Sequence, residues 1–204
     1  MSRLSHILLV LGLLGSCSPP REAPELPYGE MREGDLAFRC GEGLFSRAVT
    51  SVETEGVYSH VGILVRDGED WKVVHAVPGE KEGPDDFDRV KAEDPECFFA
   101  PARAAAGALV HTDLTGPEAL ERIRNTALSW ARDSIRFDGK YDLADSTRLY
   151  CSELVWRLYR QEGIDLSEGR RKPLNIIVLQ GDCLLPEHLF HYTENHVYFK
   201  FHTL

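Results

Sequence analysis

The chain has 204 residues, enough for one ordinary domain with short appendages. With 43% apolar and 27% charged residues it has the composition of a soluble globular protein, which excludes a disordered or membrane-spanning chain. Its 23 Lys and Arg against 33 Asp and Glu give a formal net charge of −10, and a surface so poor in clustered cations excludes nucleic acid as a partner.

The first segment reads as a targeting signal. Arg3 supplies a positive start, residues 7–14 an apolar core, and Gly15 and Ser16 are small residues directly before Cys17. The apolar run is too short to span a bilayer, which needs roughly 20 apolar residues. Small residues leading into a cysteine resemble the bacterial lipobox, which implies cleavage after residue 16 and a lipid on Cys17. The predicted organisation is a signal peptide over 1–16, a lipidated cysteine and Pro-rich tether over 17–30, and one domain over 31–204. Ser18 carries no retention signal of the Asp type, so the expected home is the cell envelope, on the periplasmic side of an outer membrane where the cell has one.

Along the domain, residues 35–39 read as a first strand and 44–52 as a short helix. Residues 61–66 and 71–77 are β-rich runs separated by Asp67-Gly68-Glu69-Asp70, a hairpin signal. Residues 78–96 are acidic and contain Gly and Pro, so they read as a solvated excursion, with a lid over a site as the sharper alternative. Thr115 and Glu118 form a capping box ahead of Leu120, Ile123, Ala127 and Trp130 at helical spacing. A second helix starts near Cys151 with Leu154, Val155, Leu158 and Tyr159 on its buried face, closed by Gly163. Residues 174–179 and 196–201 are further strand candidates. Strands, then helices, then strands predict an α+β domain.

Several residue types here can do chemistry. A thiol in the first turn of a helix, as at Cys151, meets unpaired N–H groups and the positive end of the helix dipole, both of which favour thiolate. The same N–H groups can receive an oxyanion. His60 opens the strand Val61-Gly62-Ile63, and the small Gly62 permits close approach of another element. His75 lies on the facing strand of the hairpin, within side-chain reach of His60 if the register allows. A neutral His75 can accept a proton from the His60 ring and orient it. Singly, each of these residues is more often structural than catalytic.

Their order carries more. Gly34-Asp35-Leu36 with Phe38, then Ser59-His60-Val61-Gly62-Ile63, then Val74-His75-Ala76 resemble the second half of an NlpC/P60 domain. The cysteine run of that family, which normally precedes these motifs, matches Tyr150-Cys151-Ser152-Glu153-Leu154-Val155, which follows them. The order is permuted, as in the YiiX-like and lecithin retinol acyltransferase-like branch. The resemblance spans about residues 34–163 and implies a circularly permuted papain-like fold, with an antiparallel sheet or small barrel packed against helices. It further implies that Cys151 is the nucleophile, His60 the base and then acid, and His75 the orienter. Tyr141, at a spacing that departs from the unpermuted pattern, matches a tyrosine near the oxyanion or substrate.

The implied activity is hydrolysis of an amide through a thioester, with the γ-D-glutamyl link of cell-wall peptide as the usual target of exported members. An acylated lipid or small molecule is the alternative substrate, and a non-catalytic binding lipoprotein the alternative class. No motif calls for a cofactor. His188, His191, His196 and His202 cluster near the C-terminus without a zinc spacing and read as structural. Trp71, Trp130 and Trp156 read as core. Pairing among Cys40, Cys97 and Cys183, and the oligomeric state, stay open.

Overall fold

The computed structural model describes residues 21–52, 56–112, 116–176 and 179–202. The signal segment, Cys17 and the Thr115 cap lie outside these residues. In chain order the elements are β1 (Leu36–Cys40), α1 (Leu44–Val52), β2 (His60–Asp67), β3 (Asp70–Val77), β4 (Arg89–Glu93), α2 (Pro95–Phe98), β5 (Ala106–Val110) and α3 (Pro117–Arg132). They continue with β6 (Arg136–Phe137), β7 (Arg148–Leu149), α4 (Cys151–Arg160), β8 (Lys172–Ile176), β9 (Leu179–Cys183), α5 (Pro186–Thr193) and β10 (Val197–His202). Among the described residues, eight strands form one sheet in the order β10-β5-β1-β2-β3-β4-β6-β7, and β8 with β9 forms a separate hairpin. Every pairing in the large sheet is antiparallel except β6 with β7, so the sheet is mixed at that edge.

The strands of the sheet centre alternate between two cores, as the two-residue period of a strand demands. Leu36, Phe38, Val61, Ile63, Val74, Ala76 and Val90 face one side, where α3 and α4 pack. Ala37, Leu64, Val73 and Leu109 face the other, where Phe98 and Phe99 cover them together with Leu26 and Met31. Leu26 is buried, so the chain is already docked on the sheet ahead of residue 31. On α4, Leu154, Val155 and Leu158 are fully buried, each contributing about 1.5–3 kcal/mol of apolar transfer. Gly163 ends this helix in the left-handed region at φ 80°.

Gly34 also has positive φ (88°), and a Cβ there would sit 2.9 Å from Leu120 Cδ2. Its carbonyl accepts hydrogen bonds from the hydroxyls of Tyr159 and Thr112, which ties the end of α4 to the start of β1. Asp35 next to it is buried, accepting the Arg32 N–H and the Tyr198 hydroxyl, each at 2.9 Å.

Two expectations change. Residues 78–96 are not merely a solvated excursion: β4 pairs with β3 along five residues, and α2 supplies Phe98 to the second core. Acidic composition concealed this because β4 buries only Val90 on its apolar side, with Lys91 and Glu93 on the opposite face, and is short and rich in charge. The three tryptophans are partly buried rather than core. Trp156 reaches Asp165 with its indole N–H at 2.9 Å, and Arg66 stacks over Trp71 at 3.9 Å. A polar indole N–H keeps such side chains near the boundary.

Candidate active site

Cross-strand register places the polar residues. In the ladder of β1 with β2, Arg39 opposes His60. Between β2 and β3, the pair Ile63–Val74 places Gly62 opposite His75, so His60 and His75 share one face. In the ladder of β3 with β4, His75 opposes Lys91, and Glu93 stands two residues further along the same face. A row of polar side chains therefore crosses β1 to β4 on the face covered by Phe98. Gly62 makes room for it: a Cβ there would lie 2.5 Å from Val73 Cγ1 and 3.1 Å from His75 Cβ.

Within the row, His60 Nε2 is 2.8 Å from His75 Nδ1, and His75 Nε2 is 3.0 Å from Glu93 Oε1. Phe98 lies against both imidazoles, with ring centroids 5.6 and 5.2 Å away. Burial holds both histidines below their ordinary range, His60 furthest, with the Arg39 charge adding to the effect. Both rings are therefore neutral near pH 7. Glu93 is held below the carboxylate range: burial pushes it up, but the His75 N–H and Arg103 outweigh that. Arg103 Nη1 donates to Glu93 Oε2 at 2.7 Å and lies 3.3 Å from Glu80 Oε2, while Arg39 binds Glu80 and donates to the Phe98 carbonyl at 2.7 Å. A cavity of about 240 Å³, lined by Arg39, Ser59, His60, Glu80 and Arg103 among others, opens beside His60.

Cys151 arrives from the other side of the sheet as the first residue of α4. The pairing of β2 with β3 ends at Ile63–Val74, so the Val61 N–H, which points toward β3, is left for another acceptor. It and the Ser152 N–H lie near enough to Cys151 Sγ to favour its charged form, and the Ser152 hydroxyl lies 3.8 Å away. The sulfur thus sits in the seam between β2 and β3, against the peptide that joins His60 to Val61. Among the described residues the His60 ring is not one of its hydrogen-bond partners. Since His75 engages Nε2 of His60, Nδ1 is the ring nitrogen that the row leaves unused.

The protonation of Cys151 departs from the sequence expectation. Burial pushes the thiol above its ordinary range, and the N–H donors and Ser152 only moderate this. A helix start favours thiolate, but desolvation of a sealed sulfur outweighs the dipole. Burial therefore favours the neutral form of both the Cys151 thiol and the His60 imidazole.

Tyr141 is buried and stands close enough to Cys151 for the sulfur's charge to help raise its pKa, burial being the larger cause. Its ring lies 5.0 Å from that of Tyr150. It adopts φ 58°, a left-handed conformation that non-glycine residues rarely take. Asp138 holds this turn, accepting the N–H groups of Lys140 at 2.9 Å and Asp142 at 2.6 Å. Neither Asp138 nor Glu93 emerged from the sequence. An Asp two residues before an N–H it caps is a local signal, whereas Glu93 had none beyond the alternation of β4.

The other candidates stand apart from this centre. His188 lies in the first turn of α5, where its Nδ1 accepts the Leu185 N–H at 3.1 Å. Among the described residues no disulfide joins Cys40, Cys97, Cys151 and Cys183 to one another. No group of three or more His, Cys, Asp or Glu among the described residues could hold a metal ion.

No protein-family model and no curated protein matches the chain. Among solved structures it is similar to the crystal structure of the metalloprotein yiiX from Escherichia coli O157:H7, with a TM-score of 0.63 and 19% identity, covering 85% of this chain and 97% of that one. At that identity the likeness is one of fold: the chain shares the α+β architecture of yiiX.

Proposed function

We propose that the protein is a thiol hydrolase that cleaves an amide bond through a thioester on Cys151. The observation that supports this most is the buried His60–His75 hydrogen bond at 2.8 Å, on the strand whose next N–H points at the Cys151 sulfur. In the reading, His60 Nδ1 takes the Sγ proton as sulfur adds to the carbonyl carbon. The resulting oxyanion meets the N–H groups of the first turn of α4 and the Tyr141 hydroxyl. The imidazolium then gives its proton to the departing amine, leaving the thioester. Water, deprotonated by the same nitrogen, hydrolyses it and restores the thiol.

The substrate proposed is a cell-wall peptide, on the strength of the motif resemblance and the exported, lipid-anchored N-terminus that the sequence implies. The similar protein yiiX is a metalloprotein. The residues of this chain do not fit a metal at the candidate site: both ring nitrogens of His75 face protein partners, and His60, His75 and Glu93 form a line rather than a convergent set.

The deciding experiment incubates the purified protein with muropeptides and, separately, with phospholipids, and identifies products by mass. Amide cleavage that vanishes in Cys151→Ala is the expected result. Acyl release from phospholipid alone would move the assignment to a lipid acyl hydrolase, and no turnover with either, together with a Cys151 unreactive toward iodoacetamide, would overturn the enzyme reading.

A further inference from the structure

We propose that Glu93 is a positioning residue that determines, through His75, which nitrogen of His60 carries the proton. This rests on the reading of His60 as the base for Cys151 and adds a member that lies two rings away from the thiol.

The argument follows from which atoms can donate. Glu93 is bound on one side by Arg103, whose guanidinium only donates, at 2.7 Å from Oε2. The Arg103 guanidinium favours the ionised form of this carboxylate, so its other oxygen, Oε1, can only accept. His75 Nε2 lies 3.0 Å from Oε1, out of line for a hydrogen bond, yet a bare lone pair there would face the carboxylate's charge, so this nitrogen carries the hydrogen. His75 is neutral, so its Nδ1 is then a bare lone pair. That lone pair lies 2.8 Å from His60 Nε2, which must carry the hydrogen between them. His60 is neutral too, and its Nδ1 is left bare.

The outcome is the tautomer a general base needs: a lone pair on the one ring nitrogen not consumed by the row. With His75 alone, both rings could turn their tautomers together, placing a hydrogen on His60 Nδ1 without losing the bond between them. The negative end of the chain removes that degeneracy. When His60 takes the thiol proton, its Nε2–H still points along the row toward the Glu93 charge, so the imidazolium is stabilised without a proton leaving His60. The row also explains why a charged β4 residue is kept on a covered face, where an unpaired carboxylate would be costly.

Glu93→Gln inverts the prediction while keeping the shape. Arg103 can only donate, so it retains the carboxamide oxygen and the NH2 turns toward His75 Nε2. His75 must then accept at Nε2 and donate from Nδ1, and His60 receives its hydrogen on Nδ1. The test is long-range proton–nitrogen correlation on protein labelled at histidine nitrogen, read at neutral pH, beside the rate of Cys151 alkylation by iodoacetamide. The wild type should show both rings protonated on Nε2 with Nδ1 bare. In Glu93→Gln both should be protonated on Nδ1, and alkylation should slow about tenfold or more, toward the rate of His60→Ala.

A wild-type His60 protonated on Nδ1 overturns the proposal, and this readout stands even if Glu93→Gln does not fold. Unchanged tautomers and an unchanged alkylation rate in Glu93→Gln, with His60→Ala slowed, overturn the role of Glu93 and leave His60 as the base. An alkylation rate unaffected by His60→Ala removes the base reading, and the tautomers then judge Glu93 on their own.

Discussion

Nε2 of His60 and Nδ1 of His75 lie 2.8 Å apart, in a pair of neutral rings sealed by Phe98. Nothing local in either strand forces that distance; it follows from a register in which Gly62, without a side chain, stands between them.

His75→Ala removes the acceptor that orients His60 and leaves Glu93 facing a void. Alkylation of Cys151 at pH 7 should slow about tenfold or more. Stability should fall by about 2–4 kcal/mol, from the cavity and the buried carboxylate left without His75. Urea melts and iodoacetamide kinetics on one preparation separate the two effects. An alkylation rate equal to wild type would show that the pair is structural.

Gly62→Ala tests the close packing of the hairpin. Its methyl would meet Val73 Cγ1 at 2.5 Å, His75 Cβ at 3.1 Å and the Val74 carbonyl at 3.1 Å. The expected loss is about 1–3 kcal/mol, typical of overpacking. Gly29→Ala, where nothing lies within 4 Å, is the control and should melt with the wild type.

Glu153, fully buried in the first turn of α4, has its pKa raised to about 7 by burial, with Arg157 at 2.7 Å opposing the shift. Between 4.5 and about 7 the unfolded chain has lost this proton while the folded chain keeps it. Stability contributed by the protonated form is complete below that window and declines as pH rises through it. Glu153→Gln should flatten this decline, by an amount on the order of 3 kcal/mol across the window. Denaturant melts of both proteins from pH 4 to 8 provide the check; parallel curves would contradict it.

Tyr141→Phe keeps the ring packed against Tyr150 and removes only the hydroxyl. If that hydroxyl meets the oxyanion, kcat on the substrate identified should fall about 10²-fold to 10³-fold. Cys151 alkylation, which forms no oxyanion, should not change. A kcat within twofold of wild type would assign Tyr141 to packing alone.

Much of the site was legible because its signals are local. The alternation of β2 and β3, the Asp67 to Asp70 turn, and the apolar stripe Leu154, Val155, Leu158 behind Cys151 each lie within one element, and the structure reproduces each with at most a residue's shift. The ordered motifs also pointed to the α+β fold that the structure adopts. Residues 78–96 misled because their charges suit water equally well. Lys91 and Glu93 stay on a covered face only because Asp86 and Arg103, remote in sequence or across a turn, come to meet them.

For the thiol, the sequence by itself determined that Cys151 opens a helix and that His60 and His75 occupy neighbouring strands of one hairpin. It could not determine their charge. A helix start argued for thiolate, yet the packing of α4 on β2 and β3 desolvates the sulfur and leaves it neutral, beside an imidazole made neutral the same way. Only the tertiary structure decided that, because desolvation depends on what covers a group from distant parts of the chain. For the same reason only tertiary structure could bring Glu93 to the far end of the row.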